Sequence, residues 1–136
     1  MSIKRKSYKI IEDLNETDPP KVHEKKAVKI IAEYFKSDVN FLRKTINSSP
    51  DIKVVRTREI WEIKSPLGGS KRTIDNNLRE ASDQSAKVFL DLSRCKMNQS
   101  EAVSRAKNFC FGKYQHRCHL KKLKIILKNG KIVDIL

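Results

Sequence analysis

Glu62 and Lys64 stand two residues apart in the apolar run Ile60-Trp61-Glu62-Ile63-Lys64. On a strand that spacing turns both charges to one face and leaves Trp61 and Ile63 on the other, against a core. Pro50-Asp51 opens a second run, separated from Glu62 by residues 52–61. With a turn at Arg56-Thr57, Val55 falls opposite Arg58 and Asp51 opposite Glu62, and such cross-strand neighbours lie ~5 Å apart. Two carboxylates that close repel unless a cation sits between them. A hard divalent ion takes carboxylate oxygens and keeps several waters, so Mg2+ is expected first, with Mn2+ or Zn2+ as substitutes. Lys64 beside it would orient or deprotonate a water, or neutralise charge building on a phosphate. Together these groups suit metal-assisted phosphodiester hydrolysis. The competing reading is plain: Glu-x-Lys also occurs on strands whose charged face merely stays wet.

Glu24 weighs toward the chemical reading. At 100° per residue, Ala27, Val28, Ile31 and Phe35 form one apolar stripe, and Glu24 falls inside it. Lys25, Lys26, Lys29, Glu33 and Lys36 collect on the opposite, solvated face. A carboxylate in line with the core is costly to bury alone, so Glu24 is a candidate third metal ligand. Its ordinary alternative is a first-turn acid that complements the helix dipole.

The elements that must position these groups are legible as a series. A basic lead-in covers residues 1–18, with a short helix expected over Tyr8–Leu14. Asp18-Pro19-Pro20 predicts a capped helix start and a helix over Pro19–Lys36. A strand is expected from Asp38 to Ile46, then a turn at Asn47-Ser48-Ser49-Pro50. Two strands share Ile52–Ser65, and Pro66–Ser70 is a loop. A helix over Thr73–Ala86 carries Ile74, Leu78, Ala81 and Ser85 on one side. Lys87–Leu92 is an apolar strand, and a third helix over Gln99–Phe109 uses Ala102, Val103, Ala106 and Phe109. Asn129-Gly130 joins strands Leu123–Leu127 and Lys131–Leu136 into a hairpin, because both central positions favour positive φ. The expected class is mixed α/β (α+β): a central mixed sheet flanked by helices, with a C-terminal β-hairpin. Residues 19–136 form one domain, with a motif core over 19–92 and a basic extension over 93–136.

Composition narrows the partners. The 136 residues carry 30 Lys and Arg against 16 Asp and Glu, a formal charge of +14. Such a chain should meet a polyanion. Residues 105–136 hold nine cations against Asp134 alone, interleaved with Phe109, Phe111 and Tyr114. Phosphates take the charge and unstacked bases take the rings, which suits RNA. Lys71, Arg72, Lys113, Arg117, Lys121 and Lys122 are the candidate nucleic-acid contacts. No apolar run approaches the ~18–20 residues of a membrane span, and no h-region follows the basic start. The amphipathic first helix needs its apolar face for the core, so no membrane insertion is expected. Cys95, Cys110 and Cys118 are odd in number and lack a CxxC pair, which points to a reducing compartment. Cys110, His116, Cys118 and His119 crowd one window but match no zinc-knuckle spacing; half-buried thiols and surface histidines are the preferred reading.

The order of helix with Glu24, strand, Pro50-Asp51 strand, Glu62-Ile63-Lys64 strand, helix and strand resembles the PD-(D/E)xK nuclease superfamily over Pro19 to Leu92. Within it, the chain looks most like the C-terminal tRNase toxin domains of contact-dependent growth inhibition (CdiA) proteins. That likeness rests on Trp61 to Ser70, on Thr73-Ile74-Asp75-Asn76-Asn77-Leu78-Arg79-Glu80-Ala81, and on Gln84-Ser85. It implies a restriction-endonuclease-like core and a metal-dependent RNase acting on tRNA, with Glu24, Asp51, Glu62 and Lys64 in the site. It further implies polar support from the second helix, for which Asn77 and Gln84 are the candidates. A toxin of this kind acts in the bacterial cytoplasm, is delivered as part of a larger protein, and is held by an immunity protein expected to be acidic. The start at Met also admits a stand-alone protein or an excised domain. Three alternatives stay open: a DNA endonuclease with the same site, a non-catalytic nucleic-acid-binding module, and a metal-free RNase of the barnase or colicin type. The last pairs helices with an antiparallel sheet and would use His23, His116 or His119.

Overall fold

The computed structural model describes residues 7–12, 19–42, 51–113 and 115–136. Seven strands form one mixed sheet in sequential order: β1 (Ile10–Ile11), β2 (Val39–Phe41), β3 (Ile52–Val54), β4 (Ile60–Lys64), β5 (Lys87–Asp91), β6 (Lys122–Ile126) and β7 (Ile132–Asp134). Pairs β1–β2, β4–β5 and β5–β6 are parallel; β2–β3, β3–β4 and β6–β7 are antiparallel. Helices α1 (Val22–Phe35), α2 (Thr73–Gln84) and α3 (Gln99–Phe111) are the crossovers that parallel neighbours require. A 3-10 turn at Gln115–Arg117 follows α3. The mixed α+β class and the terminal hairpin are as expected. An antiparallel sheet of the barnase or colicin kind is not, because β4, β5 and β6 run parallel.

Alternation along the strands sorts side chains between two cores. Trp61, Ile63 and Phe89 join Ala27, Val28 and Ile31 of α1 on one face. Val88, Leu90, Leu123 and Ile125 join Ile74, Leu78 and Ala81 of α2, with Ala102, Ala106 and Phe109 of α3, on the other. Trp61 and Phe89 are fully buried with ring centroids 4.6 Å apart. Each such side chain contributes ~1.5–3 kcal/mol by leaving water.

Several boundaries depart from the sequence expectation. Ile10–Ile11 form an edge strand beside Val39 and Asn40 in place of the helix expected over Tyr8–Leu14. The α1 helix starts at Val22 with Lys21 at the cap position. Pro19 and Pro20 lie ahead of it, since a residue before proline is pushed to extended backbone; the expected cap Asp18 lies outside the described residues, as do Tyr114 and the 47–50 turn. The described part of β2 ends at Phe41. The α2 helix ends at Gln84, because Ser85 turns extended and brackets Lys87 through its Oγ. Ser82 therefore takes the buried place expected of Ser85. The α3 helix begins on Asn98, whose side chain accepts from Ser100 N at 2.9 Å and Glu101 N at 3.4 Å. Asn129-Gly130 lies in the hairpin turn as expected, but only Gly130 of the two takes positive φ, at 86°; Asn129 keeps ordinary backbone and its Oδ1 accepts from Lys131 N at 3.0 Å.

Candidate active site

β3 and β4 pair with Ile52 opposite Trp61 and Lys53 opposite Ile60, the register expected for the two charged strands. The connection is wider than a two-residue turn: Val54 N donates to Glu59 O, and Arg58 takes positive φ of 63°. One residue beyond Ile52, Asp51 grips β4 on both sides of Glu62. Its N–H donates to Trp61 O at 3.1 Å, and its Oδ2 accepts from Ile63 N at 2.9 Å. A side-chain oxygen thus completes the ladder where the β3 backbone leaves it.

Trp61 and Ile63 face α1, so Glu62 and Lys64 face α2. Glu62 is only 4% exposed, which makes this a covered charged face and not a wet one. Lys64 Nζ reaches Glu80 Oε1 of α2 at 3.1 Å. Four residues along α2 cover ~6 Å, and two along β4 cover ~6.6 Å, so Gln84 stands level with Glu62. Gln84 Oε1 is buried and has no hydrogen-bond partner among the described residues. Asn77, one turn the other way, donates its Nδ2 to Thr73 O at 2.8 Å. Glu80 is not among the expected site groups; its signal is its position between Asn77 and Gln84 on the same helix side.

Glu24 is half-buried in the first turn of α1, where its Oε1 accepts from Lys21 N at 3.4 Å. Beside it, His23 Nε2 accepts from Arg94 Nη2 at 3.2 Å, and Arg94 also donates to Ser65 O at 3.3 Å. Burial, then the Arg94 charge, lowers the His23 pKa, so the ring is neutral at pH 7. Asp91, 2% exposed at the end of β5, accepts from Ser93 N at 3.0 Å and Ser65 Oγ at 3.4 Å. Sequence reasoning misses Asp91 and Arg94, because only the β4–β5 pairing brings them to Ser65. Among the described residues, no three His, Cys, Asp or Glu side chains converge to hold a metal ion.

The remaining candidates separate. Lys71 is exposed in the loop before α2, while Arg72, Lys113 and Arg117 border a cleft between α2 and α3. Lys121 and Lys122 are exposed at the start of β6, where Lys122 Nζ is held by Glu59 at 3.1 Å. His116 and His119 lie beyond α3, across the sheet from His23. Cys110 and Cys118 approach with sulfurs 3.9 Å apart. Burial, then the neighbouring Cys118, pushes the Cys110 thiol up to about 12, so it is no thiolate at neutral pH.

A chain of the CdiA-CT/CdiI toxin and immunity complex from Burkholderia pseudomallei shares this fold with a TM-score of 0.59. The two are 15% identical, and the superposition covers 93% of this chain and 98% of that chain. No curated protein shows significant sequence similarity to it. The family model of the contact-dependent growth inhibition CdiA C-terminal domain matches residues 48–132, a span that includes Asp51, Glu62, Lys64 and α2 but not Glu24. The chain belongs to the CdiA C-terminal domain family.

Proposed function

We propose that this chain is the toxin part of a larger delivered protein and hydrolyses phosphodiester bonds in tRNA with a divalent metal, through a PD-(D/E)xK-type site. The observation that carries this reading is Asp51 clipped astride a buried Glu62, with Lys64 on the same strand face as Glu62. The donor set fits a hard cation. Two carboxylates with the balance made up by water and substrate phosphate is how Mg2+ is commonly held. Asp51 and Glu62 would hold the ion, and Mn2+ or Zn2+ could replace it. Glu24 would be the third carboxylate: its Oε1 accepts from Lys21 N at a long 3.4 Å, a bond that does not bar its other oxygen from a cation.

The metal, when bound, supplies Lewis-acid stabilisation of the phosphoryl oxygens. The chain's own residues do the rest. Lys64, steadied by Glu80, presents its ammonium to the phosphate and positions the attacking water. Gln84, with its buried carbonyl oxygen aimed at no partner, is suited to orient a group beside Glu62. The family's setting supports a bacterial cytoplasmic target and an immunity partner, and the +14 charge favours an acidic one.

Incubating the chain with total tRNA, with and without EDTA, beside Lys64→Ala tests the proposal. Discrete fragments that vanish in EDTA, and fall by at least about 100-fold in Lys64→Ala, are expected. Intact tRNA in Mg2+, Mn2+ and Zn2+ sinks the tRNase reading. Cleaved plasmid DNA would then identify a DNA endonuclease, and intact DNA a binding module.

A further inference from the structure

Helix α2 carries two polar sides. Asn77, Glu80 and Gln84 look toward β4, whereas Arg72, Asn76 and Arg79, spaced at the same three-to-four-residue interval, look away from it. On that second side, α2, α3 and the segment after α3 enclose a cleft of about 690 Å³. Arg72, Arg79, Arg105, Lys113 and Arg117 border it, against the single carboxylate of Asp75. Arg72 and Arg79 are exposed and make no ion pair among the described residues. Arg105 is ion-paired with Glu101 one turn back on α3, Nε to Oε1 3.5 Å, although its buried Nε makes no hydrogen bond. Gly112 closes the far wall. A Cβ there would stand 2.5 Å from Asn108 O, so only glycine lets the chain hug the end of α3 and carry Lys113 back toward the cleft.

We infer that this cleft is a second binding site, one helix width (~10 Å) from Lys64, that seats a single-stranded nucleotide segment by its phosphates. The inference rests on the tRNA reading for the identity of the polyanion. Three features favour RNA over an acidic protein. The site is concave and of nucleotide size, within the ~300–1,000 Å³ of small-ligand pockets. Four of its five cations are planar guanidinium forks that match phosphate oxygens. Asn76 and Asn108 on its walls offer amides that can hydrogen-bond base edges. A grip there would hold the strand on one side of α2 while Lys64 and Glu62 meet the scissile bond on the other.

The test measures binding of fluorescein-labelled tRNA by anisotropy across a salt series, with Lys64→Ala throughout to prevent cleavage. Into that full-length chain go Arg79→Gln, Arg105→Gln and, as an equal charge loss elsewhere, Lys26→Gln on the exposed side of α1. Each cleft variant should weaken binding about tenfold and reduce the salt slope by ~0.7. Lys26→Gln should stay within about twofold. Because Arg105 is half-buried, Arg79→Gln, fully on the surface, decides if Arg105→Gln melts early. Cleft variants that lose no more than Lys26→Gln overturn the inference. So does an Arg79→Gln defect seen with polyglutamate but not with tRNA, which would make the cleft a seat for an acidic protein. Cleavage by the wild-type chain is scored separately. Cleft-dependent binding without cleavage would sink the nuclease reading alone, and cleavage with cleft-independent binding would sink this inference alone.

Discussion

Asp51 uses one carboxylate oxygen to finish the β3–β4 ladder, which makes its two simplest replacements unequal. Asn retains an oxygen that can accept from Ile63 N; Ala leaves that N–H without its partner. Asp51→Asn should therefore melt close to wild type, while Asp51→Ala should lose ~1 kcal/mol. Both should abolish metal-dependent cleavage, because the negative charge that would hold the cation is gone in each. Equal activity in Asp51→Asn and wild type would reduce Asp51 to a structural clip. This residue also marks what spacing can and cannot reveal. The offset from Asp51 to Glu62 is readable because antiparallel register is arithmetic once the turn is placed. The clip itself is not, since it depends on how the β3 backbone departs from the ladder. Asp91, Arg94 and Glu80 escape for a related reason: each meets its partner only after β4, β5 and α2 have closed together.

At the scale of elements, the strands are more legible than the helix ends. Trp61, Ile63, Val88 and Phe89 alternate between two covered faces, a pattern that a two-residue period predicts directly. The start of α1 is misplaced in sequence because Pro19-Pro20 serve as extended backbone ahead of Val22, and both uses of proline look alike there. β1 is illegible because two residues carry no period; only the edge of β2 decides their form. One tertiary link that no local pattern announces is Glu59, at the mouth of β4, which binds Lys87 of β5 at 2.7 Å and Lys122 of β6 at 3.1 Å. Those lysines are direct neighbours in the β5–β6 register. Burial pushes the Glu59 pKa up, but the bonds from Lys87 and Lys122 outweigh it, and the net shift is downward. A lowered carboxylate pKa stabilises the fold above the unfolded value of ~4.3 and loses that contribution as pH falls through the folded value. Glu59→Gln should thus cost ~1–2 kcal/mol at pH 7, discounted for the half-exposed Lys122 and raised by two lysines left side by side. The gap between variant and wild type should close as pH drops below ~4. A gap that persists into acid would assign the loss to packing and not to charge.

For the molecule as a whole, the charge of +14 is a force on the fold before it is a means of binding. Cations crowd the α2–α3 cleft and the start of β6, where like charges repel. Raising salt from ~20 mM to ~300 mM shortens that length from ~20 Å to ~6 Å. The Glu59 and Lys64–Glu80 pairs would weaken under the same treatment, but Glu80 is exposed and such pairs contribute ~0–1 kcal/mol each. Mutual repulsion among so many excess cations should outweigh that loss, so the melting temperature should rise by several degrees over that range. Arg79→Gln should raise it in low salt and show a smaller salt increment, because it removes one of the crowded charges. Lys26→Gln, on the opposite side of the sheet, should do so less. A melting temperature that falls with salt would mean that the ion pairs bind the fold more strongly than the cleft strains it. The cleft's charge would then be balanced within the chain, and an anionic ligand would have to compete for it.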